Sequence, residues 1–180
     1  MVNVYRGEIN ETPFWALTVD SLHRLFGVPS STAEDASSQR LSGTAVSYHA
    51  LGLAFSLQRN GGQAGVQCWR VRIYLAEHWD AEAGKVFQPF TGRISKQVSH
   101  EWTPQRLETE FRQWYPRRYS RAQTAALVQE GAAAQEAQER YEGFYLDLSN
   151  FQVDFFYTLT PPRLHTMQLI RSETPPGLSR

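Results

Sequence analysis

Residues 92–115 read GRISKQVSHEWTPQRLETEFRQWY, and the chain has already used much of this pattern near its start. There, residues 7–26 read GEINETPFWALTVDSLHRLF. Aligned without a gap, the two stretches share five residues at a constant offset of 85 positions: Gly7 with Gly92, Ile9 with Ile94, Thr18 with Thr103, Leu22 with Leu107 and Phe26 with Phe111. Self-similarity at a fixed offset is typical of an internal duplication. The sequence therefore predicts two related halves.

Each copy is predicted to end in a short amphipathic helix. Thr18 and Thr103 are suitable N-caps, because a threonine oxygen accepts a hydrogen bond from a free amide of the first helical turn. Pro104 fits the first helical position, where its missing N–H costs nothing. A leucine and a phenylalanine follow four residues apart in both copies, so each helix has one apolar stripe to face a core.

Apolar residues that alternate with a period of two predict antiparallel strands after each helix. Residues 47–58 and 66–75 show this alternation and flank Asn60-Gly61, a dipeptide typical of tight β-hairpins. Three further strands are predicted near the end of the chain, at 143–148, 153–159 and 164–170. Residues 30–45 are rich in Ser, Ala and Thr without periodicity, and we expect them to form a loop.

Together these elements predict an α+β fold, a tandem repeat of strand, helix and antiparallel sheet with the helices packed on one face of the sheet. The first half would span residues 1–85 and the second half 86–171, within one compact domain. An Ala- and Gln-rich stretch at 117–140 lacks a counterpart in the first half, so we expect a helical insertion on the surface. Residues 172–180 hold two prolines and are expected to form a flexible tail.

Composition restricts the classes of function. The 18 basic and 18 acidic side chains give a formal net charge of zero, so the whole molecule does not attract polyanions. The single cysteine, Cys68, excludes an internal disulfide and a cysteine-based zinc cluster. The N-terminus lacks the pattern of a secretion signal, and no apolar run reaches the length of a membrane span. These features predict a soluble, cytoplasmic protein without a membrane partner.

Known catalytic and cofactor motifs are absent from the sequence. No two of the five histidines are four residues apart, and none of GxSxG, GxxxxGK[ST] and GxGxxG occurs. Glu108 and Glu110 are two positions apart on a predicted helix and do not face each other. Asp147 and Asp154 lie near a strand turn without an evident partner acid or metal ligand. We therefore expect no catalytic residue, no cofactor and no metal.

Two predicted loops carry acidic residues around a tryptophan. The candidate partner-binding residues are Glu77, Trp79, Asp80 and Glu82 in the loop 77–84, with Glu34 and Asp35 in the loop 30–45. An aromatic anchor ringed by carboxylates suits a basic protein partner. The alternative is that these loops are merely solvated.

A basic and aromatic stretch suggests a different partner. Residues 112–121 read RQWYPRRYSR, in which arginines would contact phosphates and rings would stack on bases. In the structural alternative, Trp114 and Tyr115 complete the apolar face of the second helix, and the arginines lie at its C-terminal end, where the helix dipole favours them. The zero net charge makes nucleic-acid binding the less favoured hypothesis.

Several of these features recur in a fixed order along the chain. They are the Gly-x-Ile strands, the Thr-x-x-x-Leu-x-x-x-Phe helix ending in Gly-Val-Pro, and the later motifs Tyr48, Gly52-Leu53-x-Phe55 and Arg72-Ile73-Tyr74-Leu75. This order resembles a family of small bacterial proteins of uncharacterised domain type, often immunity proteins beside toxins of type VI secretion or related polymorphic-toxin systems. The resemblance covers residues 4–115, with a looser match over 141–170. The architecture is also similar, by analogy only, to β-lactamase inhibitor proteins.

The resemblance implies a cytoplasmic immunity protein, a monomer or weak dimer, that binds a co-encoded toxin. Binding would block the active site or substrate groove of the toxin without catalysis or a cofactor. Many such toxins are nucleases with basic clefts, and an acidic patch would imitate nucleic-acid phosphate there. Direct nucleic-acid binding through residues 112–121 is the alternative.

Overall fold

The computed structural model of this chain describes residues 1–35, 43–59, 66–80, 83–128 and 141–172. The first half begins with three short strands, β1 (Val2–Asn3), β2 (Glu8–Ile9) and β3 (Thr12–Pro13). A 3-10 turn at Phe14–Ala16 leads into helix α1 (Val19–Phe26). The strands that follow are β4 (Ser31–Asp35), β5 (Gly43–Tyr48), β6 (Leu53–Arg59) and β7 (Val66–Tyr74).

The later part of the chain has a similar order of elements. A hairpin of β8 (His78–Asp80) and β9 (Lys85–Phe87) comes first, and a 3-10 turn at Ser95–Gln97 then precedes helix α2 (Pro104–Glu110). After a second such turn, Arg112–Trp114, come strand β10 (Arg117–Arg118) and helix α3 (Arg121–Val128). The last strands are β11 (Tyr141–Leu148), β12 (Phe151–Thr158) and β13 (Leu164–Arg171).

Eight strands form one antiparallel sheet in the order β10-β11-β12-β13-β7-β6-β5-β4. Strands β7 and β13, each the last of its run, pair at the centre, where Arg72 lies opposite Gln168. The predicted α+β class with an antiparallel sheet is confirmed. The three strands predicted near the end of the chain also form, and their bounds lie within two residues of the prediction.

One face of the sheet is apolar and buried. Phe55 lies opposite Val71, and Phe155 lies opposite Met167, all of them fully buried. These positions alternate with outward-pointing residues along each strand, as the strand period of two requires. Burying a side chain of this size contributes about 1.5–3 kcal/mol to folding, so this face forms the main core.

Helices α1 and α2 cover the apolar face in matching ways. The ring of Phe26, at the end of α1, stacks on Phe55 with 5.6 Å between ring centroids. The ring of Phe111, just after α2, lies 5.5 Å from that of Phe155. The predicted caps also form, since the side chain of Thr18 accepts from the Ser21 amide, and that of Thr103 caps α2 likewise.

Backbone hydrogen bonds join the segment before each helix to the sheet, and on β13 the Leu164 amide is shared between the carbonyls of His100, at 3.1 Å, and Trp102. The carbonyl of Leu17 accepts from the Cys68 amide on β7 at 3.0 Å. The carbonyl of Trp102 accepts from the Leu164 amide on β13 at 3.2 Å. Since Leu17 and Trp102 precede the two N-cap threonines, both helices start from an equivalent point beside the two central strands.

Helix α3 lies against the opposite, polar face of the sheet. Arg72, which alternates with core residues on β7, donates from Nη2 to the carbonyl of Leu127 at 3.4 Å. Thr124 is fully buried beside Gly143, where an added Cβ would lie 3.0 Å from its Oγ1. The expectation that the helices pack on one face is therefore not confirmed, because α3 contacts polar side chains that point away from the core.

Two local predictions are wrong. The single strand expected at 47–58 is divided by the 3-10 turn His49–Leu51 and by Gly52, whose φ of +65° suits a residue without a side chain. The loop expected at 30–45 contains β4 and the start of β5. Within other predicted segments, residues 60–65, 129–140 and 173–180 lie outside the described residues.

Candidate functional site

The loop predicted at 77–84 is in part a strand, because β8 (His78–Asp80) lies within it and pairs with β9 (Lys85–Phe87) to form a short hairpin with two distinct sides. Trp79 pairs with Val86, and Asp80 pairs with Lys85. Neighbouring residues on a strand point to opposite sides, so Trp79 and Val86 share one side and Asp80 and Lys85 share the other. Trp79 is 59% exposed and Val86 is 38% exposed. The outer side of the hairpin is therefore apolar and open to solvent.

Asp80 and Lys85 attach the inner side of the hairpin to the rest of the fold. The Oδ2 atom of Asp80 lies 2.9 Å from Nε2 of His49, and the two side chains are only 19% and 6% exposed. The ammonium of Lys85 donates to the carbonyl of Ser30 at 2.6 Å. A hydrogen bond this shielded is costly to break, because losing one partner leaves the polar group of the other buried and unpaired. The structure thus gives Asp80 a supporting role beneath Trp79.

A column of aromatic rings also joins the hairpin to the sheet. His49 stacks on Phe87 at 4.2 Å between centroids, Phe87 stacks on Tyr74 at 4.1 Å, and Tyr74 stacks on His78 at 4.8 Å. His78 then meets His165 of β13 edge-on at 5.4 Å. Aromatic pairs contribute about 0.5–1.5 kcal/mol each beyond the area they bury. The hairpin is consequently a rigid part of the molecule.

Burial keeps the two histidines at the end of this column neutral. Desolvation lowers the pKa of His78 to about 4, with repulsion from His165 and Arg72 adding to it and attraction to Asp80 opposing it. Desolvation likewise lowers the pKa of His165 to about 4, although a hydrogen bond with the Glu77 backbone opposes the shift. Neutral rings at pH 7 pack together without the repulsion that two imidazolium ions would bring.

The other predicted acids lie at different places around the hairpin. Glu77 is exposed and directly precedes β8. Glu34 and Asp35 end the edge strand β4, which begins one residue after the Ser30 carbonyl that binds Lys85. Glu82 lies outside the described residues. Only Glu77 therefore lies close to Trp79, because Glu34 and Asp35 pair with Thr44 and Gly43 at the end of β4 that is farther from Ser30.

Two further segments are tied to the hairpin by hydrogen bonds. The amide of His49 donates to Oγ of Ser30 at 3.2 Å. The amide of Gln88, just after β9, donates to the carbonyl of His49 at 2.8 Å. The end of α1, the turn after β5 and the hairpin consequently meet at one edge of the fold.

Sequence reasoning missed the apolar residues on these neighbouring segments. Val28 is 89% exposed after the end of α1, and Leu51 is 39% exposed in the turn after β5. We define the hairpin surface as Glu77, Trp79 and Val86, and we include Val28 and Leu51 as exposed apolar residues of the two segments that are hydrogen-bonded to the hairpin. A sequence signal existed for Val28, since it lies between the helix-ending Gly27 and Pro29 and so falls outside the apolar stripe.

Two arginines and one tyrosine of the basic stretch 112–121 make contacts within the protein. Arg117 lies 3.5 Å from the carboxylate of Asp147, and Arg118 lies 3.1 Å from that of Glu142. Tyr119 is half-buried and donates its hydroxyl to Asp154 at 2.9 Å. These contacts leave less positive charge and less free ring surface for a nucleic acid than the sequence suggested.

Asp154 is the one acid with a strongly shifted pKa among the described residues of the sheet. It is fully buried and accepts hydrogen bonds at Oδ1 from Tyr119 and from Gln152, the latter at 2.6 Å. Desolvation raises its pKa to about 6, although both hydrogen bonds favour the ionised form. Its Oδ2 has no hydrogen-bond partner within the described structure. The site attaches the segment before α3 to the sheet.

Metal clusters and membrane-spanning helices are absent from the described residues. No group of three or more His, Cys, Asp or Glu among the described residues is arranged to hold a metal ion. No helix of the described segments is long and apolar enough to span a membrane. The hairpin surface is thus the strongest candidate that geometry supports.

Comparison with known proteins does not assign this chain to a family. No protein-family model, no curated protein and no solved structure matches this chain. The relation to immunity proteins remains a prediction from the order of the sequence motifs.

Proposed function

We propose that this chain is a protein-binding module, an immunity protein that docks a co-encoded toxin on its hairpin surface. The observation that carries the proposal is Trp79, whose side chain is 59% exposed on a hairpin attached by the shielded Asp80–His49 pair. A large aromatic group held outward on a rigid support loses little conformational entropy on binding. Such residues commonly supply most of the binding energy of an interface.

The residues of the hairpin surface would suit a partner that has an apolar pocket with basic residues at its rim. Trp79, Val86, Leu51 and Val28 offer apolar area, and Glu77 adds negative charge beside them. A toxin that cleaves nucleic acid has a basic cleft to hold phosphates, and the carboxylate of Glu77 would meet a basic side chain at its rim. Occupation of that cleft would neutralise the toxin without any reaction. The chain would act in the cytoplasm as a monomer or weak dimer, without a cofactor.

We also propose that the platform beneath this surface is an internal duplication. Three observations support it. Strands β7 and β13 meet at the centre of the sheet, and the carbonyls of Leu17 and Trp102 bind these two strands in the same way. Glu11 and Lys96, at the offset of 85 found in the sequence, both have positive φ, of 66° and 61°. Positive φ is uncommon for such residues, so its recurrence at matching positions favours a copied unit.

The proposal is tested with the toxin domain encoded by the neighbouring reading frame. Co-expression of the chain is expected to restore growth of cells that produce this domain, and calorimetry is expected to show tight binding. Trp79→Ala should weaken binding more than tenfold, about 1.4 kcal/mol, whereas Trp79→Phe should retain most of it. Glu77→Lys should weaken binding, and Glu101→Lys, an equally drastic change at an acid that is 69% exposed elsewhere, should not.

Two outcomes would contradict the proposal in different ways. If the wild-type chain neither binds the toxin domain nor protects cells, the immunity function is wrong. If it binds and Trp79→Ala has full affinity, the toxin docks on another surface. Fluorescence polarisation with DNA and RNA across a salt series tests the alternative, because phosphate contacts would produce a steep loss of affinity with salt.

A further inference from the structure

A cleft of about 800 Å³ lies between the outer side of α2 and the turn Ser95–Gln97. None of the residues of the hairpin surface lines it. Its principal lining residues are Lys96, Gln105, Glu108, Glu110, Arg112 and Tyr115. The cleft therefore combines four charged side chains with one aromatic ring.

Tyr115 presents its ring from a strained but well-supported turn. It is 80% exposed and adopts a left-handed conformation with φ of 51° and ψ of 69°. Such a conformation costs a bulky residue about 1–3 kcal/mol, and here it ends the 3-10 turn Arg112–Trp114. The turn is held by a hydrogen bond from its amide to the Arg112 carbonyl at 3.2 Å and by the neighbouring Trp114, whose ring lies 4.8 Å from that of Tyr5. The rigid Pro116 follows directly.

The charges of the cleft are balanced rather than of one sign. Lys96 and Glu110 form an exposed pair at 3.5 Å. Glu108 and Arg112 are exposed, and neither makes a salt bridge within the described part of the chain. A polyanion would be repelled by the two glutamates, and a polycation by the two basic residues. A protein segment with side chains of both signs matches this lining best.

We infer that this cleft is a second docking site for a protein partner. The segment it takes would place an acidic side chain against Arg112 and a basic one against Glu108, with an apolar or aromatic side chain on the ring of Tyr115. Arginine and tyrosine are among the residues that most often dominate the energy of an interface. The inference rests on the proposed function, because the partner is the same toxin that the hairpin surface binds.

Hydroxyl-radical footprinting tests both surfaces in the unmodified chain. The chain is oxidised alone and saturated with the toxin domain from the neighbouring reading frame, and oxidation is read at each residue by mass spectrometry. We expect binding to reduce oxidation of Trp79 and of Tyr115 several-fold. Met1, which is 57% exposed and belongs to neither surface, controls the radical dose.

Substitutions then test whether the cleft residues contact the toxin or only lie close to it in the complex. Tyr115→Asn should keep the turn, because asparagine tolerates a left-handed backbone, and should weaken toxin binding about tenfold. Arg112→Glu should weaken it similarly, whereas Arg121→Glu, the same charge change at an exposed position at the start of α3, should not. If Trp79 is protected while Tyr115 remains reactive and its variant binds normally, the cleft inference is overturned and the proposed function stands. If the toxin domain does not bind at all, both fall together.

Discussion

Arg72 and Gln168 face each other across β7 and β13, where the two runs of strands meet. With its amide oriented to satisfy both groups, Gln168 accepts from Nε of Arg72 at 3.0 Å. Arg72 also donates to the carbonyl of Leu127, so the same residue ties α3 to the sheet. Because Gln168 is only 1% exposed, water does not replace a lost partner there. The centre of the sheet therefore depends on a polar contact as well as on its apolar face.

Removing one side of this contact should destabilise the fold. Gln168→Leu leaves part of the Arg72 guanidinium without its acceptor, and an unsatisfied buried donor costs about 1–3 kcal/mol. Urea unfolding followed by circular dichroism should show a lower midpoint for this variant. Gln105→Leu, at an exposed position on α2, is the matched control and should leave the midpoint nearly unchanged. Equal midpoints for both variants would show that the central contact contributes nothing.

The Asp80–His49 pair is expected to govern the rigidity of the hairpin. Asp80→Ala removes the partner of a side chain that is 6% exposed and should loosen the region from residue 78 to 87. Amide exchange in that region should accelerate about tenfold, corresponding to about 1.4 kcal/mol, while the central strands should exchange as before. Toxin binding should weaken as well, because Trp79 would lose its fixed position.

A substitution at an exposed acid of the same hairpin distinguishes a loss of structural support from a loss of negative charge. Glu77→Ala removes an acid from the same hairpin without touching a buried partner. Its amide exchange should match that of the wild-type chain. If Asp80→Ala also exchanges like the wild type, the Asp80–His49 hydrogen bond does not hold the hairpin, and any effect on binding comes from a direct contact of Asp80 with the partner.

Acid should destabilise the fold through the two histidines of the ring column. The pKa values of His78 and His165 are both lowered from 6.5 to about 4. Below pH 6.5 the unfolded chain binds protons that the folded chain does not, so stability is full above that pH and falls as the pH decreases towards 4. The combined loss should be on the order of a few kcal/mol.

Denaturant unfolding between pH 4 and 7.5 measures this loss. His78→Phe keeps an aromatic ring between Tyr74 and His165 but removes one titrating group, so its stability should depend less steeply on pH. His23→Phe, on the exposed side of α1, serves as the control and should keep the slope of the wild type. Parallel curves for wild type and His78→Phe would contradict a buried neutral histidine at this position.

Local signals explain which parts of the fold could be predicted. Thr18 and Thr103 cap their helices through contacts three residues away, and such contacts leave a pattern in the sequence. The alternation over 153–159 reflects one buried face of a strand, which is again a local property. The two helices and the last strands were accessible from the sequence for this reason.

The parts that could not be predicted depend on distant residues. Strand β4 lies at an edge and pairs only with β5, so its Ser- and Thr-rich sequence has no apolar alternation to detect. The sequence suggests that Asp80 is an exposed acid, yet in the structure it is a shielded hydrogen-bond partner of His49, 31 positions earlier. The apolar part of the hairpin surface is likewise assembled from three separate segments, and no single stretch of sequence contains it.

The buried carboxyl group of Asp154 should oppose the acid sensitivity that the two histidines produce, because its own contribution to stability falls as the pH rises. Its pKa is raised from 3.8 to about 6, chiefly by desolvation, so the folded chain holds a proton that the unfolded chain has lost. The group therefore lowers stability progressively as the pH rises from about 4 to about 6, and the full cost persists at pH 8. Asp154→Asn removes the charge and keeps an oxygen that can accept from Tyr119 and Gln152. We expect this variant to be about 1–3 kcal/mol more stable than the wild type at pH 8 and nearly equal to it at pH 4.

Chemical unfolding at the two pH values checks this expectation, with Asp147→Asn as the control. Asp147 lies on the neighbouring strand with a side chain that is 57% exposed, so its neutralisation should change stability little at either pH. A variant at Asp154 that is less stable than the wild type at pH 8 would mean that the ionised carboxylate is favoured in the folded chain. The hydrogen bonds from Tyr119 and Gln152 would then outweigh desolvation, and the direction of the pKa shift would be reversed.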